Sequence, residues 1–146
     1  MPSEATNLAT QREWRTLGYF YDRDDSSRAW RISGSRSGLL GFARSVNAFA
    51  SDPSNDSQAE HEHFGPYWDL EIGTWPEPEI TEHWIAGPLP ELARLAALIE
   101  QQVAAAPVGT VLRFREAFSP GAPYELELAV ETDDFDPAVA DSACWS

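Results

Sequence analysis

The sequence predicts an α+β protein: one mostly antiparallel sheet of about six strands with two helices on one face. Three observations lead there. Two stretches carry apolar residues at helical spacing, several shorter ones alternate apolar with polar residues, and the segments between them are rich in Pro, Gly, Asp and Ser. With 146 residues the chain has the size of one domain and can bury a core without disulfide or metal staples.

Residues 1–12 are polar and aperiodic and read as a flexible arm ahead of a single domain at 13–131. Trp14 to Tyr21 is aromatic-rich, Asp22 to Ser27 is turn chemistry and Ala29 to Ser33 follows, so this region reads as a β-hairpin. After Gly34, Leu39, Phe42, Ala43, Val46, Phe49 and Ala50 mark one face of a helix. Ser35 or Ser37 can cap it, and Ser51-Asp52-Pro53 ends it. From Glu60 to Ile72, Trp68, Leu70 and Ile72 alternate with Tyr67, Asp69 and Glu71, the pattern of a half-buried strand in which Pro66 marks the start or a bend. Gly73 to Glu79 holds too much Pro for a strand and reads as a turn before a strand at Ile80 to Ala86.

A second helix opens with Pro90 in its first turn, buries Leu92, Leu95, Ala96, Ile99 and Val103, and stops at Pro107-Val108-Gly109. Val111 to Phe118 and Tyr124 to Val130 flank Ser119 to Pro123 as a last hairpin, with Arg113 and Arg115 facing Glu125 and Glu127. Residues 132–146 form an acidic tail with four Asp and no base. It reads as irregular, anchored at Phe135 or Trp145. The order β-β-α-β-β-α-β-β suits a ferredoxin-like core. A shift of 53 residues lays Ile32, Gly34 and the first helix face onto Ile85, Gly87 and the second, and a shift of 56 lays Asp69–Ile72 onto Glu125–Leu128. Internal duplication of 29–73 as 80–131 produces such an echo, and so does the spacing shared by any two strand-Gly-helix units.

The formal charge is -14, and every cationic side chain is Arg. Such a surface disfavours phosphate backbones and anionic lipid, so no nucleic acid and no membrane are expected as partners. The charge is lopsided: Arg12 to Arg44 holds seven Arg against four acids, whereas Ser45 to Ala93 holds ten acids and no Arg. A solvated, solubilising face explains this, and so does a surface for a basic partner. The single Cys144 excludes an intrachain disulfide and a CxxC site. No apolar run approaches the ~20 residues of a membrane span and no leader pattern opens the chain, so a cytoplasmic address is expected.

Motifs for chemistry are sparse. Glu60-His61-Glu62-His63 gathers metal-type ligands; on a strand His61 and His63 share a face, and with His83 they form the set for an alternative reading, a small metal-binding protein or enzyme. A solvated or hydrogen-bonded strand entrance explains them without metal. The carboxylate pairs Glu77/Glu79, Glu125/Glu127 and Asp133/Asp134 are too common a pattern to assign acid–base work. Gly34 to Gly38 looks like an anion nest but lacks the rest of a phosphate loop and serves to turn strand into helix. No catalytic residue, no metal ligand and no cofactor is therefore assigned. Trp68, Trp75 and Trp84 fall close together, and Trp75 sits among Glu77 and Glu79 in a turn, as an interface anchor or folded back over the sheet edge.

The segments SGLLGFARSVNAFA (Ser37 to Ala50), EHEHFGPYWDLEI (Glu60 to Ile72) and EHWIAG (Glu82 to Gly87) together resemble small bacterial proteins related to immunity-protein family 32 of polymorphic toxin systems. The resemblance covers the middle third to half of the chain and implies a protein that neutralises a cognate toxin by binding it. The residues fit that expectation: a non-enzymatic acidic domain meeting a basic protein, a toxin, through Glu60, Glu62, Trp75, Glu77, Glu79 and Glu82. A homo-oligomeric structural protein, such as a homodimer joined through a sheet face, is the third reading.

Overall fold

The computed structural model describes residues 3–145. Along the chain run α1 (Glu4–Leu17), β1 (Tyr19–Asp24), β2 (Ala29–Ser35), α2 (Arg36–Ser51), β3 (His61–Phe64), β4 (Leu70–Thr74), β5 (Glu79–Ile80) and β6 (Ile85–Gly87). Then follow α3 (Leu89–Ala105), β7 (Val111–Arg113), α4 (Arg115–Phe118), β8 (Glu125–Glu131) and α5 (Pro137–Ala140), with single 3-10 turns at Pro53–Asn55 and Ser142–Trp145. No helix among these residues is long and apolar enough to cross a membrane.

The α+β class holds, but the single six-strand sheet and its ferredoxin-like core do not. The strands form two four-stranded sheets, ordered β1-β2-β8-β7 and β3-β4-β6-β5. In each, a parallel pair at the centre (β2 with β8, β4 with β6) is flanked by antiparallel neighbours. The cause lies in the connections. Each long helix carries the chain from the centre of one sheet to the edge of the other, α2 from β2 to β3 and α3 from β6 to β7, so neither closes a crossover within one sheet. The sequence β1–β4 and the sequence β5–β8 thus each run hairpin, helix, hairpin, and the residues that align at shifts of 53 and 56 occupy matching places in the two runs.

Local chemistry explains the helices. The Ser35 hydroxyl accepts from the Gly38 N–H at the start of α2, and Pro90 stands in the first turn of α3, where its missing N–H leaves no partner wanting. Both bury the faces that their periodicity marks, Leu39, Phe42, Ala43, Val46 and Phe49 against Leu92, Leu95, Ala96, Ile99 and Val103. The two helices pack along each other and, with the inner faces of both sheets, enclose one contiguous core.

Five boundaries differ from the reading of the sequence. The strand expected over Ile80 to Ala86 is itself a hairpin, in which β5 ends at Ile80, the chain turns, and β6 begins at Ile85 in antiparallel register with it. Of the stretch taken for a flexible arm, residues 1–2 lie outside the described residues, and from Glu4 on it is α1, which runs through Trp14 and is closed by Gly18, whose φ of 89° suits glycine. The strand expected over Glu60 to Ile72 is a hairpin: Gly65 (φ 84°) and Trp68 (φ 60°) reverse the chain, and β3 pairs antiparallel with β4. The strand from Val111 ends at Arg113, and α4 fills the connection to β8. The acidic tail is not irregular; it folds as α5 and a 3-10 turn against α1.

Candidate functional site

The second sheet presents one face to the core and one outward. Along β4, Leu70 and Ile72 point in and Glu71 and Gly73 point out; across the β3–β4 ladder His63 faces Glu71 and His61 faces Gly73. The outer face therefore carries His61, His63 and Glu71 side by side. Gly73 leaves a bare patch beside them, and the Trp84 ring lies on it so closely that a Cβ added there would fall inside the ring's van der Waals envelope. The Trp84 indole N–H donates to Glu79 Oε2 at 2.7 Å. Trp75 packs on Trp84 edge to face, with ring centroids 5.5 Å apart.

Of these, His61, Glu71, Trp75, Glu79 and Trp84 line one wall of an open groove of about 930 Å³. The opposite wall comes from the β1–β2 turn and the loop before β8, with Asp25, Arg28, Pro123 and Tyr124. Arg23 ties the turn down: its guanidinium is 2.7 Å from Asp25 Oδ1 and donates to the Glu82 carbonyl at 2.9 Å. The Tyr124 hydroxyl donates to the same Asp25 oxygen at 2.7 Å. That hydroxyl first, and Arg23 second, hold the Asp25 carboxyl below the usual carboxylate range.

Three of the six residues expected to meet a partner, Trp75, Glu79 and Glu82, line this groove together. The other three lie elsewhere. Glu62 is in register with the inward Ile72 and so leaves β3 on the opposite side from the histidines; Glu60 precedes β3, its carbonyl accepting from the Thr74 N–H; Glu77 is exposed in the bend after Trp75. Of the early arginines, Arg15 and Arg31 are engaged away from the groove by Asp136 and Glu127, whereas Arg23 pairs with the groove's Asp25 and Arg28 lines the groove itself, so Glu71, Glu79 and Glu82 on the sheet wall carry its negative charge. Glu127 is held on both sides, Arg113 facing it across the β7–β8 ladder as the alternation predicts.

His61 and His63 share a face as expected, but their third neighbour is Glu71 rather than His83. Potential ligand atoms of His61, His63 and Glu71 lie within 4.8 Å of one another, while His83 Nε2 stands 3.6 Å from Glu82 Oε1. Sequence reasoning passed over Glu71 because one acid among ten carries no mark; only the pairing of β3 with β4 places it beside His63. Gly73 and Tyr124 were missed for the same reason, since their roles arise from segments distant in the chain. Gly34 to Gly38 does turn strand into helix, with the Gly38 N–H engaged by Ser35. Searches against family models, curated proteins and solved structures gave no match.

Proposed function

We propose that this chain is a non-enzymatic binding protein that receives a basic segment of another protein in the groove between Trp75 and Tyr124, in the manner of an immunity protein that neutralises a toxin in the cytoplasm. The observation that carries this reading is the meeting of two partly buried indoles, Trp75 and Trp84, with Glu79 and Glu82 in one groove, on a chain of net charge -14. A guanidinium or ammonium entering there finds aromatic faces for cation–π contact and carboxylates for charge-assisted hydrogen bonds. The net charge raises the rate of encounter with a positive protein and weakens encounter with nucleic acid or anionic membrane. The resemblance in the EHEHF segment supplies the kind of partner, a toxin, and the groove supplies the surface.

The test begins with the genes beside this one and uses any basic toxin domain encoded there, with affinity measured by calorimetry at two salt concentrations. Trp75→Ala should weaken binding by about 2 kcal/mol, roughly thirtyfold. Glu82→Gln should mainly slow association and flatten its salt dependence. Unchanged affinity in both variants would remove the groove from the interface, and a gene neighbourhood without a toxin would remove the immunity role.

A further inference from the structure

His61, His63 and Glu71 form a constellation that the partner-binding reading does not use. The two imidazoles are fixed in the same way. His61 Nδ1 is 2.9 Å from the Ala59 carbonyl oxygen and His63 Nδ1 is 2.8 Å from the Trp68 carbonyl oxygen. A carbonyl can only accept, so each Nδ1 carries a proton, and a ring in its neutral form then presents its lone pair at Nε2. Both Nε2 atoms point at one oxygen, Glu71 Oε1, from 3.6 Å and 3.4 Å. With both rings neutral, three acceptors converge with no donor among them, an arrangement that a cation lying between relieves.

The spacing suits a metal ion better than a shared proton. A charge-assisted N–H···O bond is about 2.7–2.9 Å long, and both separations exceed that. A tetrahedral centre with bonds of about 2.0–2.1 Å holds its ligand atoms roughly 3.3 Å apart, close to the two nitrogen-to-oxygen separations, and all the ligand atoms lie within 4.8 Å of one another. The backbone on either side of β3 adds to this. Of the three non-glycine residues with positive φ among the described residues, Arg28, Ala59 and Trp68, the last two are those whose carbonyls meet the imidazoles. Left-handed backbone at a residue with a side chain is strained, and such strain collects where a geometry must be held. The Trp68 ring also stacks on His63, with centroids 5.9 Å apart and planes at 28°.

We infer that His61 Nε2, His63 Nε2 and the Glu71 carboxylate bind one divalent transition metal ion of the zinc class, with water completing the shell on the open side. Two imidazoles, borderline ligands, favour zinc over calcium or magnesium, and the hard carboxylate is a ligand zinc also accepts. The Nδ1-to-carbonyl bonds are the outer-shell contacts that ligating histidines use to hold tautomer and orientation. With side chains 44% and 37% exposed, the histidines are open to an ion from solvent, and His61 and Glu71 set the centre at one end of the groove. The centre adjoins the proposed partner-binding groove but uses none of the residues assigned to the partner, and either proposal can fail without the other.

Chelator-stripped full-length chain should be titrated with zinc by calorimetry in 150 mM salt, with calcium titrated in parallel. One zinc per chain should bind, and calcium should not saturate. His63→Ala and Glu71→Gln should each weaken zinc by about tenfold or more, whereas His83→Ala should leave it unchanged; circular dichroism of each metal-free variant checks the fold. Cobalt(II) added to the unaltered chain gives a second measurement that needs no variant, the visible absorption of a low-coordinate nitrogen–oxygen site. Zinc binding no tighter in the native chain than in the His61→Ala/His63→Ala double variant, or calcium binding as tight as zinc, would overturn the assignment in favour of diffuse attraction to an acidic surface. A cobalt spectrum identical to that of the aquo ion would do the same.

Discussion

At Gly73 a missing side chain does the positioning. The Trp84 ring occupies the space a Cβ would need, with the Glu60 carbonyl oxygen 3.3 Å from the same point, so neither the ring nor the strand can move aside freely. Gly73→Ala should push Trp84 off the sheet, break its bond to Glu79 and loosen its edge-to-face contact with Trp75. Overpacking of this kind costs about 1–3 kcal/mol, which a urea melt would show as a lower midpoint, together with a red shift in tryptophan emission. Gly121→Ala is the control, because nothing lies within 4 Å of its added Cβ, and it should stay within about 0.5 kcal/mol of the parent. Equal stability and equal emission in the two variants would mean that Trp84 does not rest on Gly73. No pattern in the sequence marks this glycine, since its meaning depends on a ring eleven positions away that reaches it through the β4–β6 pairing.

The element least legible in the sequence, α1, is held to the fold by polar contacts. Its buried residues are Asn7, Gln11 and Trp14, spaced as one helix face but mostly polar, so hydrophobic periodicity does not register it. The cap signals were there: the Ser3 hydroxyl accepts from the Thr6 N–H and Gly18 closes the helix. The tail covers this face. Asp141 Oδ2 accepts from the Trp14 indole N–H at 2.9 Å and from the Tyr67 hydroxyl at 2.6 Å, and the Gln11 amide donates to the Cys144 carbonyl at 2.9 Å. Asp141→Ala would strand the donor of a fully buried Trp14, a loss of about 1–3 kcal/mol. It should also open the tail. Cys144 is 2% exposed and burial pushes its thiol up, so disulfide-exchange reagents should modify it slowly in the parent and much faster in the variant; equal rates would show that the tail is not latched through Asp141. By contrast α2 and α3 were legible to within a few residues because their apolar faces repeat strongly, and the β1–β2 and β7–β8 pairings because turn chemistry separates alternating runs. The division into two sheets was not, since alternation says which way a side chain points but not which strand lies beside it.

For the molecule as a whole, the tyrosines make alkaline stability a test of the packing. All four are raised, and they are spread over both sheets. Burial is the first cause for Tyr19, whose hydroxyl has no hydrogen-bond partner among the described residues, and for Tyr21, which rises to about 12. For Tyr67 it is burial and then the bond to Asp141, and for Tyr124 the bond to Asp25 and then burial. A phenol whose folded pKa lies above its unfolded value of about 10 adds stability that is complete below pH ~10 and is lost as pH climbs through the folded value. The melting temperature should therefore hold to about pH 10 and fall steeply toward pH 12. The acid side has the opposite sign: Asp24, brought to about 2 by the Ser26 hydroxyl and Ser27, and Asp136, lowered first by Arg15, have folded values below the unfolded one. Their stability is present above pH ~4 and drains away toward pH ~2. Tyrosinate absorbance near 295 nm and far-ultraviolet circular dichroism, followed together, decide the alkaline case. In the native chain the absorbance should rise only with unfolding; a reversible titration of most tyrosines near pH 10 with the dichroism unchanged would show that the phenols are not held by the fold.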